Sequence, residues 1–368
     1  MPIIRSLLIL SNIAIFVLGL VMIFNTSSAE IMDMDLDKSM HAALLKQIIS
    51  ALLGLCTGYL VWKIGYREVL NLSMPFLVLF TILLFLCLIP GIGISANGSR
   101  RWVGFSGFTI QPSEFAKILI PIYFTHAIGQ FKSKVLTLKE FLGILPLVVI
   151  PMLLVLVEPD NGTTAVIGMN VLILLFVTRV PFRYWAVPML ALVLIGGVFA
   201  YNSTYVSKRL NVYLNPEADI LGKGHQPHQA KIAAGSGELF GRGPGRSIQK
   251  LSYLPEAQND YIAAIYAEEF GFVGVMGLLF LYMIIGYCGF HIAFSVHDPS
   301  ASTLAASLTL LFCLQAFLNL GVVSGLLPST GLNLPMFSQG GTSLMANIGI
   351  IAIILNVSYS SSHQRVCV

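Results

Sequence analysis

The amino-acid sequence predicts an all-α polytopic membrane protein of about ten transmembrane helices with one long extracytoplasmic loop. Of its 368 residues 56% are hydrophobic and only 10% charged, and the mean hydropathy is +0.83. A soluble domain carries roughly 25% charged residues, so an ordinary soluble enzyme is argued against. So much apolar surface also excludes disorder. The third observation is the length of the apolar runs, each close to the ~20 residues that a bilayer requires. The period-two alternation of a membrane β-barrel is absent.

The runs fall near 5–24, 44–63, 73–94, 112–129, 140–157, 162–178, 184–201, 261–290, 302–325 and 341–358. The first is too long and too poorly ended to be the apolar region of a signal peptide, and reads as a span. Residues 25–43 form an acidic loop with Glu30, Asp33, Asp35 and Asp37, and 131–140 is a short polar link. The stretch 202–259, rich in Gly, Pro, His, Lys and Arg, is the one long polar loop. Loops of that length in a compact protein usually have a function. With no internal repeat, heptad or low-complexity tract, the chain reads as a single integral membrane domain, 1–368, with loop 202–259 between the seventh and eighth spans.

The net charge of +4 matters by position. With the N-terminus inside, the inner segments hold nine basic residues: Arg5, Lys63, Arg67, Lys132, Lys134, Lys139, Arg179, Arg183 and Arg365. The short outer loops hold three, Lys38, Arg100 and Arg101. The positive-inside rule therefore places both termini in the cytoplasm and the long loop outside. Cys56, Cys87, Cys288, Cys313 and Cys367 lie far apart without a CxxC or Cys/His cluster and read as small hydrophobes.

This orientation gathers the acidic residues on the outer side. Glu114 and Lys117 begin the fourth span, and Glu158 and Asp160 end the fifth. Glu256 and Asp260 precede the eighth, with Glu268 and Glu269 about two turns deeper. Ionisable groups at membrane depth are costly and usually mark a cavity with a function. Plainer readings stand beside that one. Glu114 and Lys117 can be an i,i+3 ion pair, and Asp160 and Asp260 can cap the helices that follow them. Arg100, Arg101 and Trp102 suit the head-group level, either as an anchor or as a phosphate fork. Arg242, Arg246 and Lys250 surround the Gly-rich run 241–245, a weak signal for a pyrophosphate cradle. No Walker, HExxH, GxSxG or dinucleotide motif is present. Carboxylates and cations around an outer cleft suit an anionic, lipid-linked substrate with a carbohydrate or peptide part. At this level transfer and transport are both open, and nucleic acid is not expected as a partner.

Asn97-Gly98-Ser99-Arg100-Arg101-Trp102 followed by Gln111-Pro112-Ser113-Glu114-Phe115-Ala116-Lys117 resembles the outer loop and fourth helix of the SEDS family (shape, elongation, division and sporulation). Glu158-Pro159-Asp160-Asn161-Gly162-Thr163 is similar to the family's next motif. Lys250-Leu251-Ser252-Tyr253-Leu254-Pro255-Glu256-Ala257-Gln258-Asn259-Asp260-Tyr261-Ile262, with Glu268-Glu269-Phe270-Gly271, resembles the most telling one. Gly340-Gly341-Thr342-Ser343 resembles the last. The Lys250–Ala257 stretch looks more like the division branch than the elongation branch. Two departures stand out. Gln258-Asn259 replace the family's usual His-Thr, and Gln339 replaces the Tyr of Ser-Tyr-Gly-Gly.

The resemblance implies a peptidoglycan glycosyltransferase that joins lipid II to a growing glycan strand and releases undecaprenyl pyrophosphate, in septal wall synthesis. It implies Asp260 as the catalytic carboxylate. Arg101, Trp102, Glu114, Lys117, Asp160, Arg246, Lys250 and Glu256 are the residues expected at the substrate. A divalent cation (Mg or Mn) is an expected addition without a dedicated ligand set. The implied partners are a class B penicillin-binding protein (a monofunctional transpeptidase), other division proteins and membrane lipids. The implied place is the bacterial cytoplasmic membrane at the division site, with the active face extracytoplasmic. A flippase for lipid-linked precursors and a division-site scaffold are the alternatives.

Overall fold

The computed structural model describes residues 1–34, 41–96, 99–105, 108–131, 136–202, 213, 224–251 and 258–366. Among these, each of the ten apolar runs forms a helix. They are α1 (Pro2–Met34), α2 (Ala42–Ile64), α4 (Ser73–Leu88), α5 (Pro112–Gly129), α6 (Leu138–Val157), α7 (Asn161–Val177), α8 (Phe182–Asn202), α10 (Ile262–Ser295), α11 (Pro299–Val323) and α12 (Gly341–Val366). Two further helices are short and more polar: α3 (Tyr66–Asn71) and α9 (His225–Ser236). α1, α2, α6, α10, α11 and α12 are long and apolar enough to cross a membrane, while α4 and α7 are shorter apolar helices. The chain is thus a polytopic membrane protein.

Local chemistry sets the helix ends. Thr137 and Glu140 form a reciprocal capping box at α6. Asp298 accepts from Ser300 N at 3.0 Å and caps α11, with Pro299 in the first turn. Arg5 donates to Ser358 Oγ at 2.7 Å, so the two ends of the chain meet at one end of the bundle. About 20 residues further along α1, Asn25 and Ser27 mark the opposite end, roughly 30 Å away at 1.5 Å per residue.

Helix α1 continues to Met34, so the acidic stretch expected as a loop from residue 25 is helical over its first ten residues. Three larger features were not predicted. The third span, expected to run to 94, stops at Leu88; Pro90 and two glycines follow, and the chain enters a small sheet. This sheet is the one departure from an all-helical chain among the described residues. Strands β1 (Gly93–Ala96), β2 (Ser99–Phe105) and β3 (Phe108–Ile110) pair antiparallel in the order β1-β2-β3, with a register shift at Ile94/Ser95. The second is α9 inside loop 202–259, and the third is a break within α10. Gly271 has φ 65° and ψ −167°, a conformation open essentially to glycine alone. Segment 237–243 mends the break. Glu268 O and Glu269 O accept from Arg242 N and Gly243 N at 2.9 and 3.0 Å, while Phe272 N and Val273 N donate to Glu238 O and Leu239 O at 2.9 and 3.1 Å. Backbone groups freed at membrane depth must find such partners.

The larger apolar core lies among α1, α10, α11 and α12, with Ile15, Met22, Leu278, Ile285, Leu308, Phe312, Phe337 and Ile354 at its centre. A second lies among α5, α6 and α7 around Ile120, Phe124, Phe141, Val148, Ile167 and Leu174. α5 belongs to the bundle although it carries Glu114 and Lys117, because both are buried against neighbouring helices rather than turned to lipid.

Candidate functional site

Asp260 stands just before α10. The helix N-cap is Tyr261, which makes no side-chain cap bond, and Asp260 stands one residue before it. Asp260's main-chain carbonyl accepts from Asn319 Nδ2 of α11 at 2.9 Å. Its carboxylate lies beside Gly331, where a Cβ would sit 3.6 Å from Oδ2.

The fourth-span pair is formed. Lys117 Nζ donates to Glu114 Oε2 at 2.8 Å and to Gln315 Oε1 at 2.7 Å. Lys117 is fully buried and Glu114 is 5% exposed, so this is an internal ion pair completed by a carboxamide. Asp160 does cap α7, accepting from Thr163 N at 3.1 Å and Thr163 Oγ1 at 2.9 Å. Gln111 Nε2, at the start of α5, lies 3.5 Å from Asp160 Oδ2, the oxygen that accepts from Thr163 Oγ1. Gly162, two residues on, packs so closely on Thr330 that a Cβ would fall 2.6 Å from that carbonyl. The loop between α11 and α12 therefore runs from the Asp160 turn, at Thr330, to Asp260, at Gly331. Gln315 links the same loop to the Glu114–Lys117 pair by donating to Asn333 O at 2.8 Å. Asp260, Asp160, Glu114 and Lys117 thus border one loop, although 146 positions separate the first from the last in sequence (Glu114 to Asp260).

The cations expected at the substrate divide into two groups. Arg101 Nε and Nη2 donate to Glu158 O at 3.0 Å and Pro159 O at 2.6 Å, so its fork holds the α6–α7 turn rather than pointing at a phosphate. Trp102 pairs with Ile94 in the sheet and is half-buried. Lys250 Nζ donates to Asn25 Oδ1 (2.7 Å), Gly245 O (2.7 Å) and Glu269 Oε1 (3.0 Å), so it too is a structural tie. Arg242 and Arg246 are exposed on the Gly-rich run, Arg242 with a 3.5 Å approach to Glu268. Glu256 lies outside the described residues.

The Gly-rich run does cradle an anion, but the anion is the protein's own. Gly245 N donates to Glu269 Oε2 at 2.9 Å, and Ile248 N to Glu268 Oε1 at 3.2 Å. Ser247 Oγ donates to Glu268 Oε2 at 2.5 Å, and Asn25 Nδ2 reaches both oxygens of Glu269 at 2.7 Å. The pyrophosphate-cradle reading of these amides is therefore corrected: the buried carboxylates of α10 occupy them.

Glu158 is fully buried, and neither carboxylate oxygen has a hydrogen-bond partner. Burial pushes its pKa up to about 9; the charge of Asp160 adds to the rise and the Arg101 guanidinium opposes it. Glu158 is therefore neutral at pH 7, which is why it tolerates its position.

The sequence did not single out Gln111, Gln315, Asn319, Asn333 or Asn25. A signal was present for two of them: Gln315 and Asn319 are the amides of an otherwise apolar span, four positions apart. No three His, Cys, Asp or Glu side chains gather into a metal-binding group among the described residues.

Residues 5–363 match a family model described as cell cycle protein, covering FtsW, RodA and SpoVE. The probable peptidoglycan glycosyltransferase FtsW of Mycobacterium tuberculosis is 38% identical over 342 residues, 93% of this chain; the chain spans 65% of that relative's length. The protein of the same name from Trichlorobacter lovleyi is 37% identical over 360 residues, covering 95% of this chain and 92% of the relative. Among solved structures, a chain from work on structural coordination of polymerization and crosslinking by a peptidoglycan synthase complex superposes with a TM-score of 0.77. It is 26% identical, and the match covers 96% of this chain and 97% of that one.

Proposed function

The chain belongs to the cell cycle protein family of FtsW, RodA and SpoVE, and on that premise we propose that it is a membrane peptidoglycan glycosyltransferase. It polymerises glycan strands from lipid II, releasing undecaprenyl pyrophosphate, in septal wall synthesis during cell division. The observation that supports this most is the convergence of Asp260, Asp160 and the buried Glu114–Lys117 pair on one loop, at the end of the bundle away from the chain termini.

In this reading the acceptor's 4-hydroxyl attacks the anomeric carbon of the lipid-linked donor. The new carbon–oxygen bond forms as the bond from that carbon to the pyrophosphate oxygen breaks. The hydroxyl proton passes to Asp260, and the electron pair leaves with undecaprenyl pyrophosphate. General-base help of this kind contributes about 10²–10⁴-fold. Developing charge on the leaving group needs cations in place beforehand. Arg246 and Arg242 are exposed on the long loop and take that role. Arg101, Lys117 and Lys250 hold the walls of the site, and Asp160 fixes the turn that faces Asp260. A divalent ion such as Mg or Mn would supply positive charge to the pyrophosphate leaving group, although no group of three His, Cys, Asp or Glu side chains is assembled for one among the described residues.

The membrane is the bacterial cytoplasmic membrane, with both termini inside and the Asp260 end outside. The meeting of Arg5 with Ser358 at one end and the basic inner loops support that orientation. The partners are a class B penicillin-binding protein and other division proteins, supported by the likeness to the synthase complex chain. The broken helix α10 is the observation that favours a transporter, since transporters place substrates at discontinuous helices. Here, however, segment 237–243 occupies backbone groups on both sides of the break.

Purified protein, alone and with its transpeptidase, is supplied with labelled lipid II. A ladder of glycan strands is expected. Movement of labelled lipid II across liposomes above the empty-liposome rate, without a ladder, overturns polymerisation in favour of transport.

A further inference from the structure

Gln315 and Asn319 are four residues apart on α11 and therefore share a face. Both are buried, at 1% and 2% exposure. They grip consecutive carbonyls of the loop beside Asp260: Gln315 Nε2 donates to Asn333 O at 2.8 Å, and Asn319 Nδ2 donates to Leu332 O at 2.6 Å. The second Asn319 donation goes to Asp260 O itself, at 2.9 Å. One side chain thus fixes both the loop and the backbone of the catalytic aspartate.

The orientation of each amide is forced by its surroundings. Lys117 has only donors to offer, so it must meet Gln315 Oε1, which leaves Gln315 Nε2 for the Asn333 carbonyl. Two carbonyls face Asn319 Nδ2, so its nitrogen must lie there. The chain of bonds continues beyond the loop. Asn333 Nδ2 donates to Gln339 O at 3.4 Å, and Gln339 N donates to Gln258 O at 3.0 Å, two residues from Asp260. Gln258 Oε1 accepts from Ser27 Oγ of α1 at 3.0 Å. Gln258 and Gln339, two of the three positions where the sequence departs from the family pattern, are therefore bonded to each other and end the same relay.

We propose that Gln315 and Asn319 are positioning residues for Asp260, and that the buried Glu114–Lys117 pair acts on the reaction through Gln315 rather than by touching substrate. This rests on the reading of Asp260 as the base. Lys117 has no exposed surface, and both hydrogen bonds recorded for its ammonium stay within the protein. A displacement of about 1 Å at a reacting group costs on the order of 100-fold in rate. Loosening either amide therefore lowers the rate of the chemical step while leaving the substrate contacts in place.

The test uses the full chain, with its transpeptidase wherever wild type requires it, and measures kcat and KM for lipid II polymerisation. Gln315→Met and Asn319→Leu keep side-chain volume and remove the donors. Each is expected to lower kcat by about 10- to 100-fold with KM held within about threefold. Gln315→Glu discriminates further when assayed across pH, because its carboxylate keeps an acceptor for Lys117 and, once ionised, cannot donate to Asn333 O; with the carboxyl ionised it is expected to lose kcat as Gln315→Met does. Full activity in ionised Gln315→Glu overturns the proposal, since Lys117 then needs only an acceptor. A rise in KM at unchanged kcat in Asn319→Leu also overturns it, because the amide then binds substrate. Should Gln315→Met fail to fold, Gln315→Glu and Asn319→Leu decide the matter. Asp260→Asn is measured alongside. Activity in that variant removes the underlying reading, whereas an inactive Asp260→Asn with wild-type Gln315 variants removes only the relay.

Discussion

Replacing Lys117 by Met tests the electrostatics of the site independently of its chemistry. Methionine retains most of the stem, so little cavity forms and the loss is electrostatic. Glu114, 5% exposed, is left without the ammonium that meets it at 2.8 Å, and Gln315 Oε1 loses its donor at 2.7 Å. Breaking a buried pair by removing one partner costs about 3–5 kcal/mol. The stranded carboxamide oxygen adds about 1 kcal/mol. Replacing both partners by neutral groups of similar shape is close to neutral. Lys117→Met is therefore expected to lower unfolding stability by about 4–6 kcal/mol, the sum of those two costs. The double variant Lys117→Met/Glu114→Gln is expected to recover most of that, a coupling of at least about 2 kcal/mol. The assay is reversible unfolding in mixed detergent followed by tryptophan fluorescence, on the two single variants and the double. Equal stability of Lys117→Met and wild type, or strict additivity in the cycle, refutes a desolvated pair at this position.

Three further outcomes follow from the geometry. Gly271→Ala places a Cβ 2.3 Å from Gly241 N at φ 65°, so about 1–3 kcal/mol of backbone strain adds to the loss of the spliced hydrogen bonds; the variant is expected to lose monodisperse protein on size exclusion, and a wild-type profile contradicts the splice. Glu269→Ala strands the Lys250 ammonium and frees the 245 and 247 amides, so limited proteolysis is expected to open new cleavage sites within 241–251, and an unchanged pattern counts against the latch. Glu158 keeps its proton in the folded state up to about pH 9, while the unfolded chain releases it near its ordinary value of 4.5. Stability is therefore lost as pH rises between those values. Glu158→Gln, which cannot ionise, is expected to raise Tm more at pH 8 than at pH 5, and a gain independent of pH contradicts a buried neutral carboxyl.

The helices were legible in the sequence because hydrophobic length is a strong signal, and each of the ten apolar runs formed a helix among the described residues, six of these helices long and apolar enough to cross a membrane. The sheet was not, because strands of four, seven and three residues follow directly on an apolar run and add no alternation strong enough to read. Asp160 was readable as a cap, since Pro159 and Gly162 flank it and Thr163 stands at the capping distance. Span orientation gathered Asp260, Glu114 and Lys117 on the outer side and the resemblance implied their roles, but the bonds that tie them to one loop were not readable, because residues so far apart meet only through tertiary packing. Glu268 and Glu269 read as acidic groups marking an outer cavity, and Arg101 and Lys250 as cations expected at the substrate. Sequence records charge but not partners, and each of these groups found its partner within the fold. Gln315 and Asn319 escaped notice because neutral amides leave the charge pattern unchanged, yet buried amides in an apolar span must be paired.

The proposed function turns on Asp260 removing the proton in glycan polymerisation. Its most direct test compares wild type with Asp260→Asn in a lipid II polymerisation assay with the cognate transpeptidase present, each confirmed as folded by its thermal unfolding profile. A glycan ladder is expected from wild type and none from the folded variant. Long glycan product from folded Asp260→Asn would contradict it.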